Sequence, residues 1–494
     1  MYRFLTKLDD NNNSKVQILK LLNYSLLGLL LLVGCQNQKE KRPPNVIFIL
    51  TDDQGYGDLG VYGAHDFSTP HLDTMASDGA RFTSYYATQP VCSASRASIL
   101  TGCYSDRIGI FNAYNPNSKK GLNPKETTIA EMLKEQGYAT AIFGKWHLGD
   151  APPFLPRKHG FDKFYGILYS NDMWPKHPQQ GTVHNFPDIY LYENESPIKK
   201  LNEQSFLTQA LTNKAIDFIE KNKDKPFFIY LPHPQPHVPL FVGKEFEGTQ
   251  NRGLYGDVIH EIDYGVGQIM ETLKKNDLEE NTILIFTSDN GPWLSYGRHS
   301  GSPGIFREGK GTSWEGGHRV PALIKFPKAI PANTIVEAPA MGIDWLPTLA
   351  EWTQSALPKL KIDGASLVSL LTGKTATAPH QNFFFYYRTN ELHAVRHKNW
   401  KLYLPHTYRT LNGRVGTNDG LPIAYEQFEI KTLTLFNLTN DPEENLNVAK
   451  QYPEMVDKIA KIADSIRYVL GDQLKEIKGN EVRPVGKISQ YRLD

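Results

Sequence analysis

The sequence is poor in cysteine, shows no excess of either charge and has no apolar run long enough to span a bilayer. Cys35, Cys92 and Cys103 are the only cysteines among 494 residues, too few for a disulfide framework. Cys92 and Cys103 lie at what reads as the start and end of one helix, a rise of about 16 Å that no disulfide bridges. Lys and Arg number 54 against 53 Asp and Glu, a net charge of +1. That balance removes the broad positive field on which nucleic-acid binding depends. An anionic ligand must instead meet a local cluster of cations. The apolar run Leu26–Val33 falls well short of the ~20 residues of a membrane span. No repeat of fixed period and no long low-complexity stretch is present. What remains is an ordinary globular composition, long enough for a large domain plus a smaller one.

The N-terminus carries an address rather than a fold. Lys15 and Lys20 precede the apolar run, so residues 1–34 read as a signal peptide. The run ends in Leu32-Val33-Gly34-Cys35, which resembles the lipobox of bacterial lipoproteins, where the cysteine is lipidated and becomes the new N-terminus. Residues 35–43 would then form a hydrophilic tether. The expectation is an exported lipoprotein of the bacterial cell envelope, in the periplasm or at the cell surface.

Short apolar runs then alternate with amphipathic stretches. Asn45–Leu50, Ala139–Phe143, Phe227–Leu231 and Thr282–Thr287 read as buried strands, and Thr128–Gln136, Leu207–Lys221 and Tyr255–Lys274 as helices. This pattern predicts an α/β fold with a large, mostly parallel sheet flanked by helices. Past Gly373 the character changes. Asn382–Tyr387, His393–Arg396, Trp400–Leu404 and Leu433–Asn437 are strand-like, and Pro453–Leu470 reads as a helix. A small antiparallel sheet packed by one helix follows. The catalytic domain is placed at 44–375 and the C-terminal subdomain at 376–494.

Each of the four long strands is followed by polar chemistry: Asp52-Asp53, Gly144-Lys145-Trp146-His147, His233 to His237, and Asp289-Asn290-Gly291. One such turn is ordinary. Four together point to the carboxyl edge of an open sheet, where ligands bind. Asp52, Asp53, Asp289 and Asn290 offer only oxygen ligands, which suits a hard divalent cation, Ca²⁺ or Mg²⁺, rather than zinc. Three carboxylates converging without a cation would repel.

The segment Pro90-Val-Cys92-Ser93-Ala94-Ser95-Arg96, continued by Ala97 to Thr101-Gly102, resembles the signature of type I sulfatases. There, Cys-x-Pro/Ala-x-Arg directs oxidation of the cysteine to formylglycine. Ala94 stands where Pro is commoner, and Cys103 where the family often has Arg. Asn45 to Gly55, Gly144 to Gly149, Arg252 to Asp257, Gly309 to Thr312 and Glu315 to Gly317 are similar to further family motifs in the family's order. Gly160-Phe161-Asp162 and Tyr165 to Asp172 are similar to the arylsulfatase A branch.

The resemblance implies an alkaline phosphatase-like fold, and a formylglycine at position 92 acting on Ca²⁺, with Mg²⁺ less favoured, held by Asp52, Asp53, Asp289, Asn290 and Cys92. It implies that Asp289 accepts the nucleophile's proton and that Arg96 and Lys145 steady formylglycine and sulfate oxygens. His237 and Lys310 would serve the leaving group. His147 would help expel sulfate, and Ser170 would contact it. His233 competes with His237, which is preferred because it directly precedes Val238-Pro239. A formylglycine-generating maturation enzyme is an implied partner.

A lipid-anchored sulfatase fits a sulfated carbohydrate substrate, from host glycans or algal polysaccharides. Tyr165, Tyr169, Trp174, Trp293, Tyr296 and Trp314 could stack on sugar rings, and His177, Arg298 and His299 could read substrate charge. Two other classes stay open. A phosphomonoester or phosphonate hydrolase of the same superfamily would prefer phosphate esters. A catalytically silent glycan-binding lipoprotein would bind without turnover, although its nucleophile and metal positions are all present here.

Overall fold

Asn45–Thr51 is apolar from Val46 to Leu50 and buried at every residue, which a strand covered on both faces requires. It is β1 of a ten-stranded sheet in a computed structural model that describes residues 42–491. Pro43 onward forms one compact unit. The signal peptide, Cys35 and all of the tether except Arg42 and Pro43 lie outside the described residues. The other strands of the sheet are β2 (Ala80–Phe82), β3 (Ala139–Lys145), β4 (Lys163–Ile167), β5 (Tyr190–Glu193), β6 (Ser196–Lys200), β7 (Phe227–Pro232), β8 (Thr282–Ser288), β9 (Ala322–Lys325) and β10 (Thr334–Val336). Their spatial order is β10-β2-β9-β8-β1-β7-β3-β4-β5-β6. The central strands β8, β1, β7, β3 and β4 are mutually parallel, and antiparallel pairs flank them on both sides.

The alternation of side chains along β1 divides the core into two layers. Val46, Phe48 and Leu50 face a cluster that includes Ile99 and Leu100 of α1 (Cys92–Thr101) and Met132 and Leu133 of α2 (Ile129–Glu135). Ile47 and Ile49 face the opposite cluster, with Leu211 of α3 (Leu207–Asn222) and Ile259 and Ile262 of α4 (Leu254–Lys275). Each such buried side chain contributes about 1.5–3 kcal/mol of transfer free energy. Thr128 and Glu131 cap α2 reciprocally, which stops the helix from running back into the loop before it.

The C-terminal region forms a four-stranded antiparallel sheet of β11 (Asn382–Tyr387), β12 (Glu391–His397), β13 (Trp400–Tyr403) and β16 (Thr434–Asn437). Helix α5 (Pro453–Leu470) packs on it through Ile459, Ala463 and Leu470. Between β13 and β16 lies a hairpin that the sequence reading did not anticipate, β14 (His406–Thr410) and β15 (Glu426–Ile430). A buried ion cluster joins the two regions. Lys401 Nζ lies 2.8 Å from Glu315 Oε1 and 3.4 Å from Glu444 Oε1. Among the described residues, no helix is long and apolar enough to cross a membrane.

Candidate active site

β1 and β8 are in parallel register, with Thr51 opposite Ser288. The two acidic pairs that follow therefore leave the sheet side by side. The Asp53 amide donates to Asp289 Oδ1 at 3.2 Å, and Asn290 Nδ2 donates to Asp53 Oδ1 at 2.7 Å. On the other flank of β1, the Asp52 amide donates to the Gln235 carbonyl at 3.2 Å, drawing in the loop after β7. Asp53 and His147 both adopt left-handed backbone, with φ of 64° and 61°. For residues other than glycine this costs about 1–3 kcal/mol each, and here both positions lie in the same cluster of polar loops.

Cys92 opens α1 and Arg96 lies one turn later, so the two share a helix face. Cys92 Sγ is 3.4 Å from Asp52 Oδ1. The Arg96 guanidinium is fully buried and spans two acids, with Nη2 3.2 Å from Asp52 Oδ2 and 2.9 Å from Asp289 Oδ2. Its Nη1 donates to the Lys145 carbonyl at 3.1 Å. Gly144 makes this junction possible. A Cβ there would lie 2.0 Å from the Pro232 carbonyl oxygen, and its φ of 140° suits glycine alone. Lys145 Nζ bonds Asp52 Oδ2 and reaches Ser170 Oγ at 3.1 Å.

Two further groups close on Asp53 Oδ2: Lys310 Nζ at 2.7 Å and His237 Nε2 at 3.5 Å. His237 Nδ1 donates to the Val238 carbonyl at 2.6 Å, leaving Nε2 to face the acid. His147 is arranged the opposite way. Its Nε2 donates to the Tyr114 carbonyl at 2.8 Å, and Nδ1, buried, has no hydrogen-bond partner. That tautomer leaves a basic lone pair on Nδ1. His233 is buried too, but the only influence on its titration is desolvation, which lowers it to about 4. Of the two histidines, His237 is the one that joins the cluster.

The electrostatics follow from burial and pairing. Burial raises Asp52, but Lys145 and Arg96 outweigh it and hold the carboxyl far below its ordinary value. Asp289 is pushed up to about 6 by burial and by Asp52, against the pull of Arg96. Burial and then Asp52 push the Cys92 thiol well above its ordinary value. A thiol kept protonated is a poor nucleophile. Burial, Lys145 and Arg96 hold His147 well below its ordinary value, so it is neutral at physiological pH.

The site holds a cluster of side chains that could bind a metal ion. Ligand atoms of Asp52, Asp53, Cys92 and His237 all lie within 4.8 Å of one another. Asn290 Oδ1 is buried and has no hydrogen-bond partner among the described residues, so it is free to act as an oxygen ligand. Asp289 meets the group through the Asp53 amide and Arg96. Asp52, Asp53 and Asp289 balance Arg96, Lys145 and Lys310, so a divalent ion would leave the site with two positive charges, as an anionic substrate requires.

The aromatic expectations divide. Trp314 is buried against Tyr403, with ring centroids 4.3 Å apart, beneath the Arg307 guanidinium. It packs the C-terminal core and is not a sugar platform. Trp174 and Tyr296 are likewise buried, and Tyr165 lies under Lys214. Trp293 does reach the site, with its ring 5.5 Å from His237 and 4.4 Å from Lys310 Nζ. The hydroxyl of Tyr169 accepts from the Asn117 amide. Arg409 and Tyr114 support site residues and were not expected. The alternation in His406–Thr410 was a local signal for β14, but a contact with a loop about a hundred residues away leaves none.

Known proteins resemble the chain along most of its length. The sulfatase family matches residues 44–355, and the C-terminal region of aryl-sulfatase matches 378–486. The C-terminal family of N-sulphoglucosamine sulphohydrolase matches 305–412. Arylsulfatase A of Bos taurus is 36% identical over 85% of this chain and 85% of its own length. N-acetylgalactosamine-6-sulfatase of Canis lupus familiaris is 34% identical over 90% and 89%. A Bacteroides thetaiotaomicron structure, described under the metabolism of multiple glycosaminoglycans, superposes with a TM-score of 0.73 at 30% identity, over 86% of this chain and all of its own. A Pseudoalteromonas sulfatase superposes with a TM-score of 0.77 at 28% identity, over 86% and 90%. The architecture is that of the alkaline phosphatase-like sulfatases. The chain belongs to the sulfatase family and is a sulfuric ester hydrolase.

Proposed function

We propose that this sulfatase acts on sulfated carbohydrates, through a formylglycine made from Cys92 and a calcium ion bound by Asp52, Asp53, Asp289 and Asn290. The observation that carries the reading is the buried constellation around Cys92, three acids balanced by three cations with an unpartnered amide oxygen among them. The formylglycine would supply the nucleophilic oxygen and the calcium ion Lewis acidity.

The chain's own residues would do the rest. Arg96 and Lys145 hold fixed positive charge toward the sulfate oxygens, and Ser170 beside Lys145 adds a hydroxyl. Asp289 accepts the nucleophile's proton. Lys310 and His237 meet the charge that develops on the leaving oxygen, one as acid and one as fixed charge. The free Nδ1 of His147 is the base that regenerates the starting site.

The names of the relatives support a sulfated sugar. One is named for N-acetylgalactosamine-6-sulfate chemistry, and one structural neighbour is described under glycosaminoglycan metabolism. We infer also that a formylglycine-generating enzyme matures Cys92, and that the chain is exported and lipid-anchored through Cys35. The catalytic domain and C-terminal subdomain are proposed to meet near residue 375.

The test is sulfate release from a panel of sulfated oligosaccharides and an aryl sulfate. The protein is co-expressed with a formylglycine-generating enzyme, and Cys92→Ala runs beside it. Release by the parent protein and none by Cys92→Ala is expected. Turnover of aryl sulfate alone would overturn the carbohydrate reading. A clear preference for phosphate esters under the same conditions would favour the phosphoester alternative.

A further inference from the structure

A cavity of about 440 Å³ has a lining that includes Arg252, Leu294, Arg298, Glu308, Arg414 and Val415. Its volume is within the usual range of small-ligand sites, about 300–1,000 Å³. Two chain segments line the cavity at one residue and touch the active site at the next. Leu294 follows Trp293, whose ring faces His237 and Lys310. Thr410 also lines the cavity and follows Arg409, which bonds the Lys310 carbonyl. Glu308 stands two residues before Lys310 itself. The segments that line the cavity are thus continuous in the chain with those that carry Trp293 and Lys310 to the site.

The charged lining is three arginines against one acid. Arg252 pairs with Asp66 at 3.2 Å and Arg414 with Glu426 at 3.3 Å, and neither of those acids is among the lining residues. Glu308 accepts a hydrogen bond from Thr410 Oγ1 at 2.6 Å. Arg298 forms no ion pair among the described residues. Its Nη2 donates only to the backbone carbonyls of Asn251 and Arg252, at 3.4 and 3.1 Å. The rest of its planar fork is available for bidentate recognition of an oxyanion.

We propose that this cavity is an anion subsite taking a second sulfate or a carboxylate, carried on the sugar next to the one being desulfated. The inference rests on the carbohydrate reading above and narrows it: the preferred substrate is an oligosaccharide with at least two anionic groups. Arg252 comes from the segment before α4, Arg298 from the loop after β8 and Arg414 from the hairpin of β14 and β15, so the C-terminal region takes part in choosing the substrate.

The test is calorimetric titration of the Cys92→Ala protein with three disaccharides that share one sulfated sugar. The neighbouring sugar is neutral, sulfated or a uronate. One charge-assisted guanidinium contact corresponds to roughly tenfold or more in Kd. At least one of the two doubly anionic ligands should therefore bind about tenfold more tightly than the neutral-neighbour ligand, with a steeper loss on added salt. Which of them gains more identifies the second group. Arg298→Gln and Arg414→Gln should each narrow the ratio, and Arg298→Lys should restore part of it. Equal Kd values for all three ligands, or a ratio that survives both substitutions, would overturn the subsite. The carbohydrate reading fails separately, if the matured parent protein releases no sulfate from any sulfated sugar.

Discussion

The Arg409 guanidinium, on the C-terminal hairpin, donates through Nε to the backbone carbonyl of Lys310 at 3.1 Å and through Nη2 to the same oxygen. A Cβ on Gly311 would lie 2.5 Å from that guanidinium, so glycine is what lets the arginine approach. The Lys310 amide donates to Pro292 and the Gly311 amide to Pro90, each at 2.9 Å. The loop that carries Lys310 is therefore held at once by the β8 loop, by the segment leading into α1 and by the C-terminal region.

Arg409→Ala removes a charge-assisted hydrogen bond worth about 1.5–3 kcal/mol. If that loss is felt in the transition state, kcat falls about 10–100-fold. KM should move little and Arg409→Lys should recover part. Steady-state kinetics on the aryl sulfate check this; a lowered melting temperature with unchanged kcat would refute the positioning role.

Lys401 is buried between Glu315 and Glu444. Burial works against the Glu315 charge, but Lys401 and Arg319 hold its carboxyl down at about 2. Lys401→Met leaves that carboxylate buried without its main partner and should cost about 3–5 kcal/mol of unfolding free energy. Lys401→Met with Glu315→Gln should recover much of the loss. Chemical denaturation of the two variants measures both.

His380 Nε2 lies 2.6 Å from the buried Asp344 carboxylate. Burial opposes the imidazolium charge, but Asp344 prevails and raises His380 above its ordinary value of 6.5. A group whose pKa rises on folding stabilises fully below its unfolded value, and the stabilisation disappears as pH climbs through the folded value. The melting-temperature difference between the parent protein and His380→Gln should therefore be largest below about pH 6 and shrink toward alkaline pH. A difference that is flat with pH would contradict this.

If the oxygens of Asp52, Asp53, Asp289 and Asn290 hold calcium, the ion stabilises the folded chain by mass action, about 2.7 kcal/mol at a hundredfold excess over Kd. Calcium should raise the melting temperature of chelator-treated protein, and magnesium should do so less. Asn290→Leu, which removes the unpartnered oxygen, should blunt the calcium response. Scanning calorimetry with and without each ion reads this independently of turnover.

Much of the fold was legible because its signals are local. The run Val46–Leu50 is apolar on both faces, so it had to be a central strand, and the acids that follow it had to emerge at the sheet's carboxyl edge. Cys92 and Arg96, one helical turn apart, had to share a face. Strands β5 and β6 at the sheet's edge were not legible, because every residue of Ser196–Lys200 is exposed and leaves no apolar pattern to read. Trp314 also misled, since a tryptophan in a glycine-rich loop looks the same whether it faces substrate or a second core.

By itself, then, the sequence determined the strands, the residues at their ends and the chemistry those residues can carry, since side-chain periodicity and turn preference act over a few residues. Only the tertiary structure decided which cation meets which acid, that Trp293 and not Trp314 reaches the site, and that Arg409 ties the C-terminal hairpin to the loop of Lys310. Those contacts join segments up to a few hundred residues apart, and they exist only once the packing of two sheets has brought the loops together.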